Sequence, residues 1–517
     1  MDDFGFRHRV HWQDKSYEKI MISIVVGATH AQIKNLDDIT IIDEISNVLT
    51  YRLESAKYTW QFKTGNWDGA TRLLTKGLKF PTGCLNTVCE LLDKKSIQYL
   101  IVDSRQWVTP APSGLSWHGY DLYDYQNKIV ETAIDKKCGM IKAATGSGKS
   151  LIISRLAYEY NMPTVVYVVS LDLLSQMHEE LERSLGVSVG IIGGGKCSIE
   201  KINVCSAWTA GKVFAKSKKS QKEDIEEDVS VDKWTPSELQ KKKIKDMVEG
   251  AKLVILDESQ FAAASSIQAI LNNSKSAAHK FGFSGTPWRS GGDDLLLEAA
   301  FGSNICDLSA TELIEKGYLV PPKIFFRDIP EYEFQIKKKW VDVKSSYIIE
   351  NEVRNKLLIG NVTKLLEMDR KPLVLFRERK HGRALESMLP SGINYRYVDG
   401  IISKDERDQI RKDFKAGNVD LILASTVYDQ GVDLPGLDAL VLAGGGKSTA
   451  KALQRIGRVI RGNPDGKKTE ALVVETFDQA NFVRSHSIMR YRAYGTEPGF
   501  EIKMGSSMED YVKRYVR

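Results

Sequence analysis

Short apolar runs alternate with stretches of helical spacing along most of this chain. In the first hundred residues, Met21-Ile22-Ser23-Ile24-Val25-Val26 predicts a strand and Ile39 to Leu49 a helix. Tyr58-Thr59-Trp60-Gln61-Phe62 alternates like a further strand, and Gly65-Asn66-Trp67-Asp68-Gly69 reads as a hairpin turn with Trp67 packed inward. Leu85 to Lys94 predicts a second helix and Gln98 to Val102 a closing strand, which together make a small α+β module. Pro110-Ala111-Pro112-Ser113-Gly114 reads as a linker, so the module is expected to be dispensable for folding of the chain beyond it.

From Asp121 to about Ile305 the alternation is that of a parallel sheet with crossover helices. Strands are expected at 139–143, 164–169, 202–205, 253–256 and 280–283. A second alternating unit has strands at 323–326, 372–376, 395–398, 420–424 and 438–442. The fold class is therefore α/β, two parallel-sheet domains in tandem behind a small α+β domain, with boundaries at 1–112, 113–307 and 308–517. Residues 216–245 are densely charged and read as a solvated insertion. The tail from about Phe482 reads as a helical cap on the second domain.

Composition narrows the class. The charge of +6, from 73 Lys and Arg against 67 Asp and Glu, permits a nucleic-acid partner without requiring one. The six cysteines form no C-x-x-C pair, which points away from a zinc site or a disulfide framework and toward a reducing compartment. No apolar run approaches the ~18–20 residues of a membrane helix, and the N-terminus lacks a signal-peptide core, so no membrane association and a cytoplasmic location are expected (the host cytoplasm if the chain is phage-encoded).

The chemistry centres on Ala143-Ala144-Thr145-Gly146-Ser147-Gly148-Lys149-Ser150, between a predicted strand and a predicted helix. Small residues let backbone N–H groups curl round phosphates, and the helix start adds partial positive charge. Lys149 is placed for the β/γ-phosphates and the Ser150 hydroxyl for Mg²⁺; Ala143 stands where the usual pattern has glycine. Leu253 to Leu256 is an apolar strand ending in Asp257-Glu258-Ser259-Gln260. There Asp257 can hold Mg²⁺ and Glu258 can polarise the attacking water. Gln126, 23 residues before Lys149, has the donor and acceptor to read an adenine edge. In Gln454-Arg455-Ile456-Gly457-Arg458-Val459-Ile460-Arg461 the arginines three apart would share a helix face and act as arginine fingers on the γ-phosphate. Two glycine strings, Gly193-Gly194-Gly195-Lys196 and Gly444-Gly445-Gly446-Lys447-Ser448, imitate phosphate loops but depart from the pattern.

In this order the motifs resemble the superfamily 2 helicases: a Q motif, motif I at 143–150, motif II at 257–260, motif III at 284–286, motif V at 425–435 and motif VI at 454–461. Ser284-Gly285-Thr286-Pro287-Trp288-Arg289, Asn351-Glu352-x-Arg354-Asn355 and Gly431-Val432-Asp433-Leu434-Pro435 are closest to the DNA translocases of that group. Gly65 to Gly69, followed by Arg72-Leu73-Leu74 and Phe80-Pro81-x-Gly83, resembles the phage UvsW-type recombination helicases.

The resemblance implies two RecA-like domains with ATP and Mg²⁺ between them. The nucleotide would be held by Gln126, Thr145, Gly146, Ser147, Gly148, Lys149, Ser150, Gly431 and Asp433, and the metal by Ser150 and Asp257. Lys149, Asp257, Glu258, Arg458 and Arg461 would carry the chemistry. Branched, forked or duplex DNA would be the partner, its backbone met near Ser170, Thr209, Arg377 and Ser425-Thr426, with recombination or replication proteins as further partners. The implied activity is that of an ATP-dependent DNA helicase or translocase. Three alternatives stay open: a restriction-nuclease motor, an RNA helicase, or a nucleotide-gated junction clamp that does not unwind.

Overall fold

The computed structural model describes residues 21–111, 114–214, 232, 234–285, 294–330, 339–425, 434, 436–446, 448–462, 468–480 and 482–515. It divides into two compact units, Met1–Ala143 with Gly148–Asp307, and Leu308–Arg517 together with the short stretch Ala144–Ser147.

The first unit holds both the small module and a large sheet. The module's four strands run in the order Lys79–Pro81, His30–Lys34, Ile22–Val26, Tyr99–Asp103, with the last two parallel. Helices Ile39–Val48 and Leu85–Lys94 close its core on Ile24, Val26, Ile33, Phe80, Val88 and Leu92. Asp38 starts the first helix by accepting from Thr40 N and Ile41 N, satisfying two of the donors a helix start leaves open.

One expectation fails here. Residues 58–62 form no strand: a 3₁₀ turn, Glu54–Tyr58, and a helical turn, Trp60–Lys63, occupy the excursion between the paired strands Thr50–Arg52 and Ala70–Arg72. Alternation predicts a strand only if one face finds a core, and Tyr58 and Trp60 are each 70% exposed.

The large sheet has eight strands, in the order Lys196–Ser198, Gly190–Gly193, Ile202–Ser206, Thr164–Val168, Leu253–Asp257, His279–Ser284, Gly139–Ala143, Asn304–Leu308. The five expected strands are parallel neighbours in its middle. The string Gly193 to Lys196 is an antiparallel hairpin on its edge. The end of the charged stretch is ordered rather than solvated loop: Ser237 caps a helix, Glu238–Gly250, which buries Ile244 and Val248. The part from 216 to 231 lies outside the described residues.

The small module is not an appendage on a linker. Its Gly83 faces the helix Leu295–Phe301 of the large-sheet domain so closely that a Cβ would sit 1.9 Å from the Glu298 carbonyl oxygen. Ala299 of that helix joins the module's core, Thr87 donates to Glu298, and Asn86 Nδ2 lies 3.0 Å from Ser303 Oγ. Lys280, buried in strand His279–Ser284, donates to the Ala28 carbonyl at 2.9 Å. Removing 1–112 would leave that ammonium without this acceptor and uncover Ala299, so the truncated chain is expected to be less stable than the parent. Gly83→Ala is expected to cost about 1–3 kcal/mol by overpacking the seam, read as a lower midpoint in urea with an unchanged slope. A stability equal to the parent would show that the two layers separate freely.

The second unit is a seven-stranded sheet, in the order Tyr395–Val398, Leu421–Ala424, Pro372–Leu375, Ala439–Leu442, Ala471–Phe477, Pro322–Asp328, Glu501–Met504. Every described pairing in it is parallel. The tail is therefore more than a helical cap, since Glu501–Met504 extends the sheet beside Pro322–Asp328.

Candidate nucleotide site and helicase motifs

Three neighbouring parallel strands bring the first-unit motifs to one edge. Gly139–Ala143 runs into the glycine loop, His279–Ser284 ends on Ser284, and Leu253–Asp257 ends on Asp257. Ligands of open parallel sheets sit at the carboxyl ends of the strands, so this edge is where chemistry is expected. The strand Leu253–Asp257 is buried throughout, which holds its last residue in a fixed place.

The loop has the backbone its glycines predict. Gly146 and Gly148 take φ of +93° and +75°, and helix Lys149–Tyr160 starts directly after Gly148. Lys149 Nζ folds back to the Ala143 carbonyl at 3.2 Å, tying the loop's two ends together. Thr145 and Ser150 are partly exposed and Ser147 is buried. Gln126 is buried against the loop: a Cβ on Gly148 would lie 2.4 Å from its Nε2. Its Oε1 accepts from Tyr123 N at 2.9 Å, so in this conformation the glutamine caps the helix Asp124–Lys136 and props Gly148.

Beyond the strand, Glu258 adopts φ +59°, a left-handed conformation that costs a non-glycine residue energy and turns its side chain off the strand direction. Glu258 N donates to Asp257 Oδ1 at 3.0 Å. Burial, reinforced by the Glu258 charge, raises the Asp257 carboxyl above the usual carboxylate range, and Lys149 opposes the shift. Gln260 Nε2 donates to Glu258 Oε2 at 2.8 Å, and Ser284 Oγ donates to Gln260 Oε1 at 2.7 Å. Gln260 thus links the acidic pair to the end of the neighbouring strand. That link was not expected from the residues, because a glutamine two positions after the acid carries no signal until the strands are paired. No group of three or more His, Cys, Asp or Glu side chains able to hold a metal occurs among the described residues. A hydroxyl from Ser150 and the single carboxylate Asp257 fit a hard cation that keeps most of its ligands from water and phosphate.

Thr209 is fully buried and donates from Oγ1 to Asp232 at 2.5 Å, so its side chain is committed inside the fold instead of facing a nucleic acid. Ser170 is also buried, and its hydroxyl caps helix Leu171–Leu185. Asp232 accepts from Gly194 N as well, which anchors the chain's return from the charged stretch. Thr286 and Pro287, and Thr426, Gly431 and Asp433 of motif V, lie outside the described residues.

In the second unit the arginine motif opens with Ser448, whose hydroxyl caps helix Thr449–Val459. Ala452, Ile456, Gly457 and Val459 are buried, and Arg458 is in the last turn. The two arginines do not share a helix face. The helix ends at Val459, and Arg461 lies in an extended bridge opposite Leu319, with Val320 N donating to Ile460 O at 2.8 Å. The reason is Lys468, buried beneath the helix end, which donates to the carbonyls of Val459, Arg461 and Leu437. It satisfies acceptors that a helix terminus leaves open and so fixes where the helix stops. Burial lowers the Lys468 ammonium to about 8.

Two buried arginines grip the Gly444 to Gly446 loop. Arg354 pairs with Asp478 at 2.9 Å and donates to Ala443 O at 2.9 Å. Arg490 pairs with the buried Glu475 and donates to Gly446 O at 2.9 Å. Buried ion pairs of this kind add little net stability, and they specify geometry when each remaining donor has an acceptor. Here the acceptors are the Ala443 and Gly446 carbonyls at the loop together with Thr476 and Ser487.

Two family profiles match the chain. That described as "Type III restriction enzyme, res subunit" covers residues 119–289, and "Helicase conserved C-terminal domain" covers 356–463. "ATP-dependent DNA helicase uvsW" of Enterobacteria phage T4 is 24% identical over 494 residues, covering 88% of this chain and 93% of the relative. "DNA 3'-5' translocase XPB2" of Sulfurisphaera tokodaii is 24% identical over 391 residues, covering 69% and 81%. Among solved structures, S. cerevisiae Dbp5 bound to RNA and ADP BeF3 superposes with a TM-score of 0.51 at 14% identity, covering 75% of this chain and 93% of that one. That likeness carries the fold alone. With two RecA-like parallel-sheet units, the described motifs at their strand and helix ends and these relatives, the chain is an ATP-dependent helicase of superfamily 2 that resembles the UvsW type.

Proposed function

We propose that this helicase is a DNA translocase that uses ATP to remodel branched or forked DNA during recombination, repair or replication. The observation that carries the reading is the edge where Lys149, Ser150, Asp257, Glu258, Gln260 and Ser284 meet on three adjacent strands, in a chain whose small module is docked on the same unit. Likeness to the T4 uvsW helicase over 88% of the chain supports the choice of DNA.

In this reading the loop from Thr145 to Gly148 presents backbone N–H groups to the phosphates of ATP, and Lys149 meets the β/γ oxygens. Ser150 and Asp257 hold Mg²⁺, which when bound neutralises charge on the phosphate oxygens. Glu258 orients the attacking water, and the hydrogen bond from Gln260 fixes its carboxylate. Arg458 and Arg461 are assigned as arginine fingers, Gln126 as the contact to the base, and Gly431 and Asp433 as further nucleotide contacts. A restriction-nuclease role would need a metal-binding nuclease cluster. The sequence offers one widely spaced candidate, Asp465 with Glu501 and Lys503: Asp465 lies outside the described residues, and Glu501 and Lys503 pair with each other at 3.2 Å on strand Glu501–Met504.

ATPase rates with single-stranded, blunt duplex, forked and four-way DNA, and with RNA, test the proposal. Forked and four-way DNA are expected to stimulate turnover most. Equal stimulation by RNA would replace the DNA reading, and strand displacement lacking in the presence of ATP would reduce the chain to a nucleotide-gated clamp.

A further inference from the structure

Large aromatic side chains are normally buried, because each removes ~150–250 Å² of apolar surface from water. In the small module two are turned outward within three residues of each other. Tyr58 and Trp60 are each 70% exposed, and Phe62 next to them is 40% exposed. Their exposure does not come from a loose loop. Thr59 Oγ1 donates to Ala56 O at 2.7 Å and accepts from Phe62 N, Thr64 Oγ1 donates to Trp60 O at 2.9 Å, and the Gln61 carbonyl accepts from both Asn66 N and Trp67 N. Beneath, Gly69 at φ +76° leaves room for the Phe62 ring, which would lie 3.0 Å from a Cβ there. Trp67 closes the base of the excursion, its Nε1 donating to Ala70 O at 2.8 Å. The fold spends its glycines and hydrogen bonds on presenting Tyr58 and Trp60 to solvent.

The surroundings say what they meet. Between residues 52 and 79 stand six basic residues, Arg52, Lys57, Lys63, Arg72, Lys76 and Lys79, against two acidic ones, Glu54 and Asp68. Arg72 is paired with Asp68 at 2.6 Å. Lys57 Nζ lies 5.3 Å from the Tyr58 ring centre, so cation and ring face the same side. Aromatic faces interleaved with cations suit one class of ligand above others, a nucleic-acid strand whose bases are unpaired: rings stack on bases and ammonium groups meet phosphates. A duplex offers phosphates but keeps its base faces inside its own stack.

We propose that Tyr58 and Trp60 form a base-stacking platform by which the small module holds the unpaired nucleotides at a DNA branch point. The platform rests on the reading of the chain as a branched-DNA translocase and adds to it a mechanism of selection. Lysines and arginines of the excursion supply affinity for any DNA, and the two rings supply the preference for a strand that has left its duplex.

The test uses the full chain, with Tyr58→Ala/Trp60→Ala, and with Trp60→Phe as the conservative variant. Fluorescence anisotropy with a fork carrying single-stranded arms, an oligothymidine and a blunt duplex, each at several salt concentrations, reads the effect. The double variant is expected to bind the fork and the oligothymidine about tenfold or more weaker, and the blunt duplex within about twofold of the parent. Its salt slope should be unchanged, because no phosphate contact is lost. ATP turnover without DNA and the melting temperature should stay at parental values, and Trp60→Phe should restore most of the affinity. Equal losses on duplex and fork would make the rings general contacts and overturn the proposal. Unchanged binding to every DNA would also overturn it, leaving the rings to a protein partner. If the parent itself showed no preference for the fork over the duplex, the branched-DNA reading would fail, and the oligothymidine arm would still decide whether the rings stack on bases.

Discussion

Lys149→Ala is expected to lower ATP turnover by at least ~10²–10³-fold, the cost of removing one preorganised charge from a transition state. In the folded chain the Lys149 ammonium donates to the Ala143 carbonyl. That carbonyl ends strand Gly139–Ala143, which stays paired with His279–Ser284 without the lysine, so the loop's backbone should persist. The melting temperature should therefore change little while turnover collapses, and binding to DNA in the absence of nucleotide should survive. A steady-state ATPase assay beside a thermal melt separates the two. Turnover within a few-fold of the parent would place the phosphate site elsewhere. A large drop in melting temperature would show that the lysine holds the loop together instead of acting on phosphate.

Arg461→Ala carries the other large effect. An arginine finger is worth ~10³–10⁵ in rate where one has been measured, and a loss in that range is expected in single-turnover hydrolysis, with nucleotide affinity changed far less. The backbone of Arg461 makes the bridge to Leu319 and its carbonyl accepts from Lys468, so the substitution leaves both of those contacts in place. Arg458→Ala is the comparison, since Arg458 is on the helix and Arg461 beyond it. A loss of under about tenfold for Arg461→Ala, with a large loss for Arg458→Ala, would assign the finger to the helical arginine alone.

The signature residues of the small module divide into two jobs. Gly83 is there for space, at the seam with the motor helix, while Gly69 makes room for the Phe62 ring beneath the exposed aromatics. The same short motif therefore fastens the module to the motor and shapes the surface it offers. The bond from Lys280 to Ala28 ties the module to strand His279–Ser284, and that strand ends on Ser284 beside Gln260.

The residues alone determined the features that local chemistry dictates. Five consecutive buried positions in Leu253–Asp257 make a strand, glycines at 146 and 148 make the tight turn before Lys149, and the spacing of the motifs orders two α/β units. Local pattern misled wherever a distant group decides. Residues 58–62 alternate like a strand, but no core covers one face, so they coil outward. Arg458 and Arg461 have helical spacing, but Lys468 takes the carbonyls at which the helix stops. Strand Ala471–Phe477 carries Glu475 and Thr476 through the middle of a sheet, which is tolerable only because Arg490 and Arg354 arrive from other elements to pair with them or their neighbours. Thr209 reads as a surface contact until Asp232 is brought back against it. Periodicity reports which face of an element seeks a core. Only the assembled chain supplies the partners that let a charge be buried, stop a helix, or leave two aromatic rings in water.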